Sequence, residues 1–479
     1  MKDSLFTNIT IVLFVLLSVH PAARAQQVEY STPLGDNIRS TSFDIVGRCK
    51  NHLLIYKKSY GDYTMALYDE HLKIIDQVPM KFLPPEITQE DFINLSNKVF
   101  MVYQYRHKRD IYCKAVMLDQ DARPLAGPLL IDKTEHPGEI VGDNAYITVH
   151  SEDKNRIMVL EVLKKEDSLL YSIRTFLYDS SMQLLRRGSV TLPYGHEGDR
   201  PEAFCLSDKG GLYFILGNSA YDGDPYYQRV SVYYKAPYSR TLVSGSLPLE
   251  GHLPNTSLLL KIDNPHQSLR VSALQYDGKR RDIDRLSILN FGLDSLRLLQ
   301  GKTVMLTDSL KTIMQGKNEG LRQTFNDYVL SDMVIDRAGN ALLIAEEKFM
   351  EAGGATHRDN LALFELDPKG DLLQLLKIKK QQGDDLAATF ASYLLVNTGG
   401  ALHLLMNKSH RIFRFLNNYL YLLADYRYSA SHQLKEMPVM RGLDNKKRWA
   451  PRYGMQVSRN EVVIPCVMGS LLLFGKITY

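Results

Sequence analysis

Tryptophan occurs once in this 479-residue chain and cysteine four times, at Cys49, Cys113, Cys205 and Cys466. The cysteines are scattered, with no CxxC pair and no histidine at ligand spacing, so neither a zinc site nor a dithiol centre is expected. Each sits in a strand-like apolar run, such as DIVGRCK or VIPCVM, and reads as a small buried hydrophobe. One disulfide stays open after export, and the sequence does not pair it. Excess charge is missing too. The formal net charge is +4, which gives no footing for a nucleic-acid surface. Beyond the N-terminal region no apolar run approaches the ~18 residues of a membrane helix, so no transmembrane segment is expected in the mature chain. There is no GxSxG elbow and no Gly-rich phosphate loop. THRDN (Thr356–Asn360) contains a His-Arg-Asp triplet, but without its usual companions it reads as a hairpin tip. No cofactor motif is present, and no cofactor is expected.

What is present is a globular composition, with 44% hydrophobic and 23% charged residues. Tyrosine is abundant, at 28 residues, which suits strands and wet binding surfaces alike. Residues 1–25 read as a secretory signal: Lys2, the short apolar stretch Ile9–Val19, then the small-x-small triplet Ala23-Arg24-Ala25. The mature chain from residue 26 is therefore expected to be exported, periplasmic or secreted.

The stretch Asp327–Leu372 supplies the organising pattern. Apolar runs Val329–Ile335, Ala341–Ala345 and Leu361–Leu366 are separated by the turn Asp336–Asn340 and a Gly-rich loop, and end at the turn Asp367–Asp371. Strand, turn, strand, loop, strand, turn is the layout of a four-stranded antiparallel sheet. Comparable units begin near His52, Phe92, Ala145, Ala203, Leu258, Tyr393 and Tyr453. Several share a signature in which Asp follows an apolar residue and Leu or Met comes a few places later, at Asp69, Asp119, Asp179 and Asp367, with a weaker copy at Asp294. Asp starts such turns by binding its own backbone two residues on. Units of about 50–60 residues with four short strands each fit an all-β propeller. One blade cannot bury both of its faces, so radial stacking must do it. Eight blades are favoured over the alternative of seven, in one domain spanning 26–479. Strands from both termini are expected to close the ring, with Val28–Ser31 or Ser42–Val46 joining the last unit. A short helical insert near 308–325 is expected to cap one face.

The signal, the irregular units, the helical insert and the unit DMVIDRAGNALLIAEEKF…LALFELDPKGDLL together resemble a group of exported propeller-like proteins common in Bacteroidota. The resemblance implies a fold and an envelope location and carries no functional residues across.

Candidate chemistry is sparse. Adjacent acids Glu346-Glu347 point to opposite faces of a strand and cannot flank one glycosidic bond. The loops His196–Asp199 and Asp222–Asp224 have too few oxygens for calcium, so no metal is expected. His403, in ALHLLM, reads as a packing histidine. The clusters Lys279–Arg281 and Lys446–Arg448 carry flanking acids and read as solvated loops. Geometry suggests more than motif does. The loops leading into the innermost strands ring one mouth of a propeller's channel. In this chain those positions hold Asp91, Glu139, Glu202 and Asp327, with Arg452 and Tyr453 in the last unit. A second candidate surface is the tyrosine-rich stretch carrying Tyr226 and Tyr227, since aromatic faces beside carboxylates recognise sugars or peptides. The leading expectation is a non-catalytic binding or scaffolding module for a peptide, glycan or protein of the cell envelope. The alternatives are a glycan-cleaving hydrolase or lyase using the channel-mouth acids, and a sensor ectodomain acting through a membrane partner.

Overall fold

The computed structural model describes residues 27–135, 144–165, 169–196, 199, 201–221, 224, 226–248, 252–254, 257–277, 282–315, 325–350, 356–380, 382, 390–411, 419–439 and 447–479. The expected signal, Glu139, the Lys279–Arg281 cluster and the second half of the helical insert lie outside them.

Eight antiparallel sheets follow one another along the chain, in the arrangement of an eight-bladed β-propeller. Blade one is Thr41–Cys49, His52–Ser59, Asp62–Tyr68 and Ile74–Pro79, innermost strand first. Blades two to seven repeat this order over 89–134, 146–193, 201–246, 258–305, 328–378 and 393–438. In blade eight the outermost strand is Gln27–Tyr30 from the N-terminal side. It pairs with Leu471–Thr478, which pairs with Glu461–Met468. The innermost position is shared by Lys447–Trp449 and Met455–Gln456, with a 3-10 turn, Pro451–Tyr453, between them. Of the two expected closing segments, the first is therefore the one used. Ser42–Val46 belongs to the innermost strand of blade one.

The core is not central. It is divided among eight apolar clusters, one in each gap between neighbouring blades, because both faces of every sheet are apolar in its middle strands. The gap that closes the ring holds Ile45, Ile55 and Tyr68 of blade one against Val463, Leu472 and Phe474 of blade eight. Each of these six is at most 5% exposed, so the first and last blades share a packed interface like any other pair.

The repeated aspartate sits at the hairpin between the third and fourth strands. Asp69 Oδ1 accepts backbone N–H groups from His71 and Lys73, each at 2.8 Å. Asp119, Asp179 and Asp367 repeat the arrangement. The residue three places on has positive φ: Leu72 +57°, Ala122 +58°, Met182 +67° and Gly370 +80°. That is a type I turn closed by a left-handed residue, a common three-residue hairpin. Asp294 is not a copy, because the blade-five turn starts at Gly292, whose carbonyl accepts from Leu296 N.

Three local expectations are corrected. The helix Asp308–Gln315 packs against the outer strands of blade six rather than across a face: Lys377 Nζ of the fourth strand donates to Gln315 O at 2.6 Å, and Met314 is fully buried between blades five and six. Thr356–Asn360 is no hairpin tip but the start of the third strand of blade six, Thr356–Leu366. Asp199 is fully buried rather than solvated, and accepts Ser219 N at 2.7 Å, Gly195 N and Asn218 Nδ2 at 3.0 Å, and His196 N at 3.1 Å. All four cysteines are free thiols.

Candidate functional site

The acids named from the sequence are placed differently from one another. Asp91 lies within the innermost strand of blade two, Gln89–Asn94, half-buried, with Gln89 Nε2 3.2 Å from its Oδ1. Burial raises its carboxyl above the usual range, while the neighbouring Thr148 and Gln89 side chains pull the other way. Beside it, Glu90 is pushed up to about 7, by desolvation first and then by Asp44 and Asp91, with Lys58 opposing. Asp44, on the innermost strand of blade one, is raised by desolvation and by Asp91. Blades one and two thus gather three carboxyls, of which the sequence had singled out one.

Glu202 is the second residue of the innermost strand of blade four, Pro201–Leu206, and accepts the Tyr227 hydroxyl at 2.8 Å. Tyr227 is 3% exposed, its ring resting where Gly217 has no side chain. Tyr226 packs edge-on to Tyr276 at 5.4 Å, between blades four and five. Asp327 precedes the innermost strand of blade six, where its carbonyl accepts Lys348 N at 2.7 Å. Arg452 and Tyr453 are both exposed in the 3-10 turn of blade eight, with the guanidinium 5.7 Å from the ring centroid. Structure therefore joins Glu202 to Tyr227 and Arg452 to Tyr453.

Tyr453 also lines a concavity of about 490 Å³ between blades eight and one, with Arg39, Ser40, Thr41, Ser42, Phe43, Lys58 and Tyr60. Phe43 meets the Tyr453 ring edge-on at 6.3 Å. Among the described residues two cations, three hydroxyl residues and three aromatics line it, and no carboxylate does. Tyr60 is the telling residue. It sits at the two-residue turn joining Ser59 to Asp62, with φ +50°, followed by Gly61 at +88°. Both central residues of such a turn need positive φ, which favours Asn-Gly. A bulky tyrosine there is strained, and its side chain is 91% exposed.

The acids Glu346 and Glu347 lie inside the second strand of blade six, Ala341–Met350. Glu346 accepts from Lys380 Nζ at 2.6 Å, Arg358 Nη1 at 2.7 Å and Ser392 Oγ at 3.1 Å. Glu347, on the other face, accepts from Asn360 Nδ2 at 2.7 Å. His403 is buried against Asp425, with Nδ1 2.9 Å from Oδ2, and packs on Tyr479 at 4.2 Å. Among the described residues no group of three or more His, Cys, Asp or Glu side chains is arranged to hold a metal. No helix among them is long and apolar enough to cross a membrane.

No protein-family description matches this chain, and no curated protein does. Solved structures do. Prolyl oligopeptidase B from Galerina marginata, bound to a hydrolysis and macrocyclization substrate, aligns with 90% of this chain and 55% of its own at 7% identity, TM-score 0.43. The Nup133 β-propeller domain of Vanderwaltozyma polyspora aligns over 88% of this chain and 98% of its own at 9% identity, TM-score 0.44. An exo-β-1,3-galactanase from Phanerochaete chrysosporium aligns over 61% of this chain and 62% of its own at 12% identity, TM-score 0.30. The chain spans about half the length of the peptidases it matches. Likenesses this distant transfer neither chemistry nor partner.

The carboxyl cluster has a measurable signature. Because the folded-state pKa of Glu90 is raised from 4.5 to about 7, the folded protein holds a proton that the unfolded chain gives up, and stability falls as pH rises through that window. Glu90→Gln should therefore stabilise the protein at pH 8 by about 1 kcal/mol, a figure reduced for solvent screening. At pH 4 it should change nothing. Chemical denaturation at the two pH values checks this, and an equal effect at both would mean that Glu90 is not perturbed.

Proposed function

We propose that this chain is an exported, non-catalytic binding module whose concave surface between blades eight and one holds a polar glycan of the cell envelope. The observation that carries the reading is Tyr60, held in a strained turn with its ring in solvent, at the edge of a concavity shared with Tyr453. Aromatic faces stack on the apolar faces of sugar rings, while hydroxyls and cations meet their oxygens. Strained backbone clusters at functional sites. Soluble envelope glycan fragments, titrated calorimetrically, should bind the wild type. Tyr60→Ser with Tyr453→Ser should weaken them about tenfold or more at unchanged thermal stability. Equal binding by the double variant would sink the reading.

A hydrolase remains the second reading, and the Asp44–Glu90–Asp91 cluster is what favours it. A carboxyl raised near neutrality beside other acids is how a general acid is prepared. That reading requires new chain ends to appear when the protein meets envelope glycan, and Glu90→Gln to stop them.

A further inference from the structure

The outer cleft between blades three and four carries a second set of cations, remote in sequence from the Tyr60 surface. It encloses about 540 Å³ and is lined by Arg174, Arg186, Arg187, Lys235 and Arg240, with Asp132 the one carboxylate. Arg174 is already neutralised. Its guanidinium grips the buried Glu161 through two nitrogens and stands 2.9 Å from Asp132. Asp132 also accepts the Tyr146 hydroxyl at 3.0 Å. Among the described lining residues no other acid is left for the rest.

Lys235 is the exceptional member. It closes the third strand of blade four, Tyr226–Lys235, and is 2% exposed. Among the described residues its ammonium makes one hydrogen bond, to the carbonyl of Ala236, at 3.5 Å. It lies against blade three at Gly188, where an added Cβ would stand 3.0 Å from Nζ and 2.9 Å from Thr175 Oγ1. Only a residue without a side chain leaves that room. Desolvation lowers the Lys235 pKa, and Arg186 lowers it further. Arg187 lies over the Phe176 ring at 5.8 Å, and Arg186, Arg187 and Arg240 are all exposed. A buried ammonium without a carboxylate is costly, and a site that keeps one facing three exposed guanidiniums is arranged for a negative charge that arrives from outside.

We propose that the cleft between blades three and four is an oxyanion site, in which Lys235, Arg186, Arg187 and Arg240 take a sulfate or phosphate group. A tetrahedral group offers acceptors in several directions, matching cations that converge from two blades. A planar carboxylate offers two oxygens and a single charge, which would leave most of these cations unanswered. The proposal does not depend on the Tyr60 surface.

Calorimetry on the intact protein tests it with inorganic sulfate, inorganic phosphate, glucose 6-sulfate, glucose 6-phosphate and acetate, each at low salt. Sulfate or phosphate species should bind at concentrations up to about 10 mM and raise the melting temperature. Acetate should not. Lys235→Met should weaken binding at least about tenfold, and without ligand the variant should melt no lower than the wild type, since it loses a buried charge. Arg186→Gln with Arg240→Gln, both at exposed positions, should do the same to binding with no change in melting. Tyr60→Ser should leave it untouched. Tighter binding of the sugar esters supports an anionic sugar as the natural ligand. Equal affinity for the free ions supports a free oxyanion as the natural ligand. The proposal fails if no oxyanion binds, if acetate binds as well as sulfate, or if the double arginine variant binds like the wild type.

Discussion

Glu346→Gln should destabilise this protein by about 3–5 kcal/mol, more than the loss of either cation that Glu346 holds. The carboxylate is 3% exposed and faces two cations, Lys380 and Arg358, both largely buried. Removing its charge leaves both without the carboxylate they share, with only Asp359 still acting on Lys380, and buried charge short of a partner is among the costliest defects a core can carry. Lys380→Met is gentler, since Glu346 keeps Arg358 and Ser392. Burial alone would raise the Glu346 carboxyl, but Lys380 and Arg358 outweigh it and hold the folded pKa below 4.5. The contribution is therefore complete above pH 4.5 and is lost as pH falls through that lower folded value. Urea denaturation at pH 7 and again at acid pH should show a large gap between wild type and Glu346→Gln that narrows on acidification. A gap independent of pH would mean that packing, not charge, was lost. The network also ties blade six to blade seven. Lys380 reaches Gln382, whose Nε2 donates to Asn407 O, and Asn407 Nδ2 donates to Trp449 O in blade eight.

Gly475→Val should be nearly as damaging, at about 3 kcal/mol. Gly475 pairs with Tyr30 on one side and Ile464 on the other. A Cβ there would stand 2.4 Å from two atoms of the Trp449 ring. The indole is 2% exposed and cannot yield without leaving the gap between blades seven and eight. Its ring also packs on Tyr30, centroid to centroid 5.5 Å, so the displaced indole would disturb the closing strand. Trp449 is the chain's one tryptophan, which makes the outcome directly visible. The variant should melt earlier and emit at longer wavelength before global unfolding. Wild-type emission with unchanged melting would mean that this packing is not as described.

The inner architecture was legible because the middle strands of each blade are apolar on both faces, as in Val99–His107 and Leu361–Leu366. The outer strands were not. Leu184–Pro193 is mostly exposed and reads LLRRGSVTLP, which has neither alternation nor a continuous apolar run. The aspartate turns were legible because one side chain bonding its own backbone is a local event. Both candidate surfaces were hidden for the opposite reason. Tyr60 looks ordinary until its φ is known, and Lys235 becomes unusual only when blade three sets Gly188 and Arg186 against it. The acids read as lining one mouth have different immediate neighbours: Glu202 meets a tyrosine of its own blade, while Asp91 joins acids beside it in space. Sequence spacing places residues on a blade but does not say which neighbour the blade meets.

The closed ring underlies every juxtaposition described, and amide hydrogen exchange resolved along the chain tests it most directly. Pairing of Gln27–Tyr30 with Leu471–Thr478, extended by Ser31 N donating to Phe474 O at 2.8 Å, predicts that the inward-bonded amides of 28–31 exchange as slowly as those of 471–478 and are released together with them on global unfolding. Exchange of 28–31 at the rate of an open chain, with 471–478 still protected, would contradict the closure.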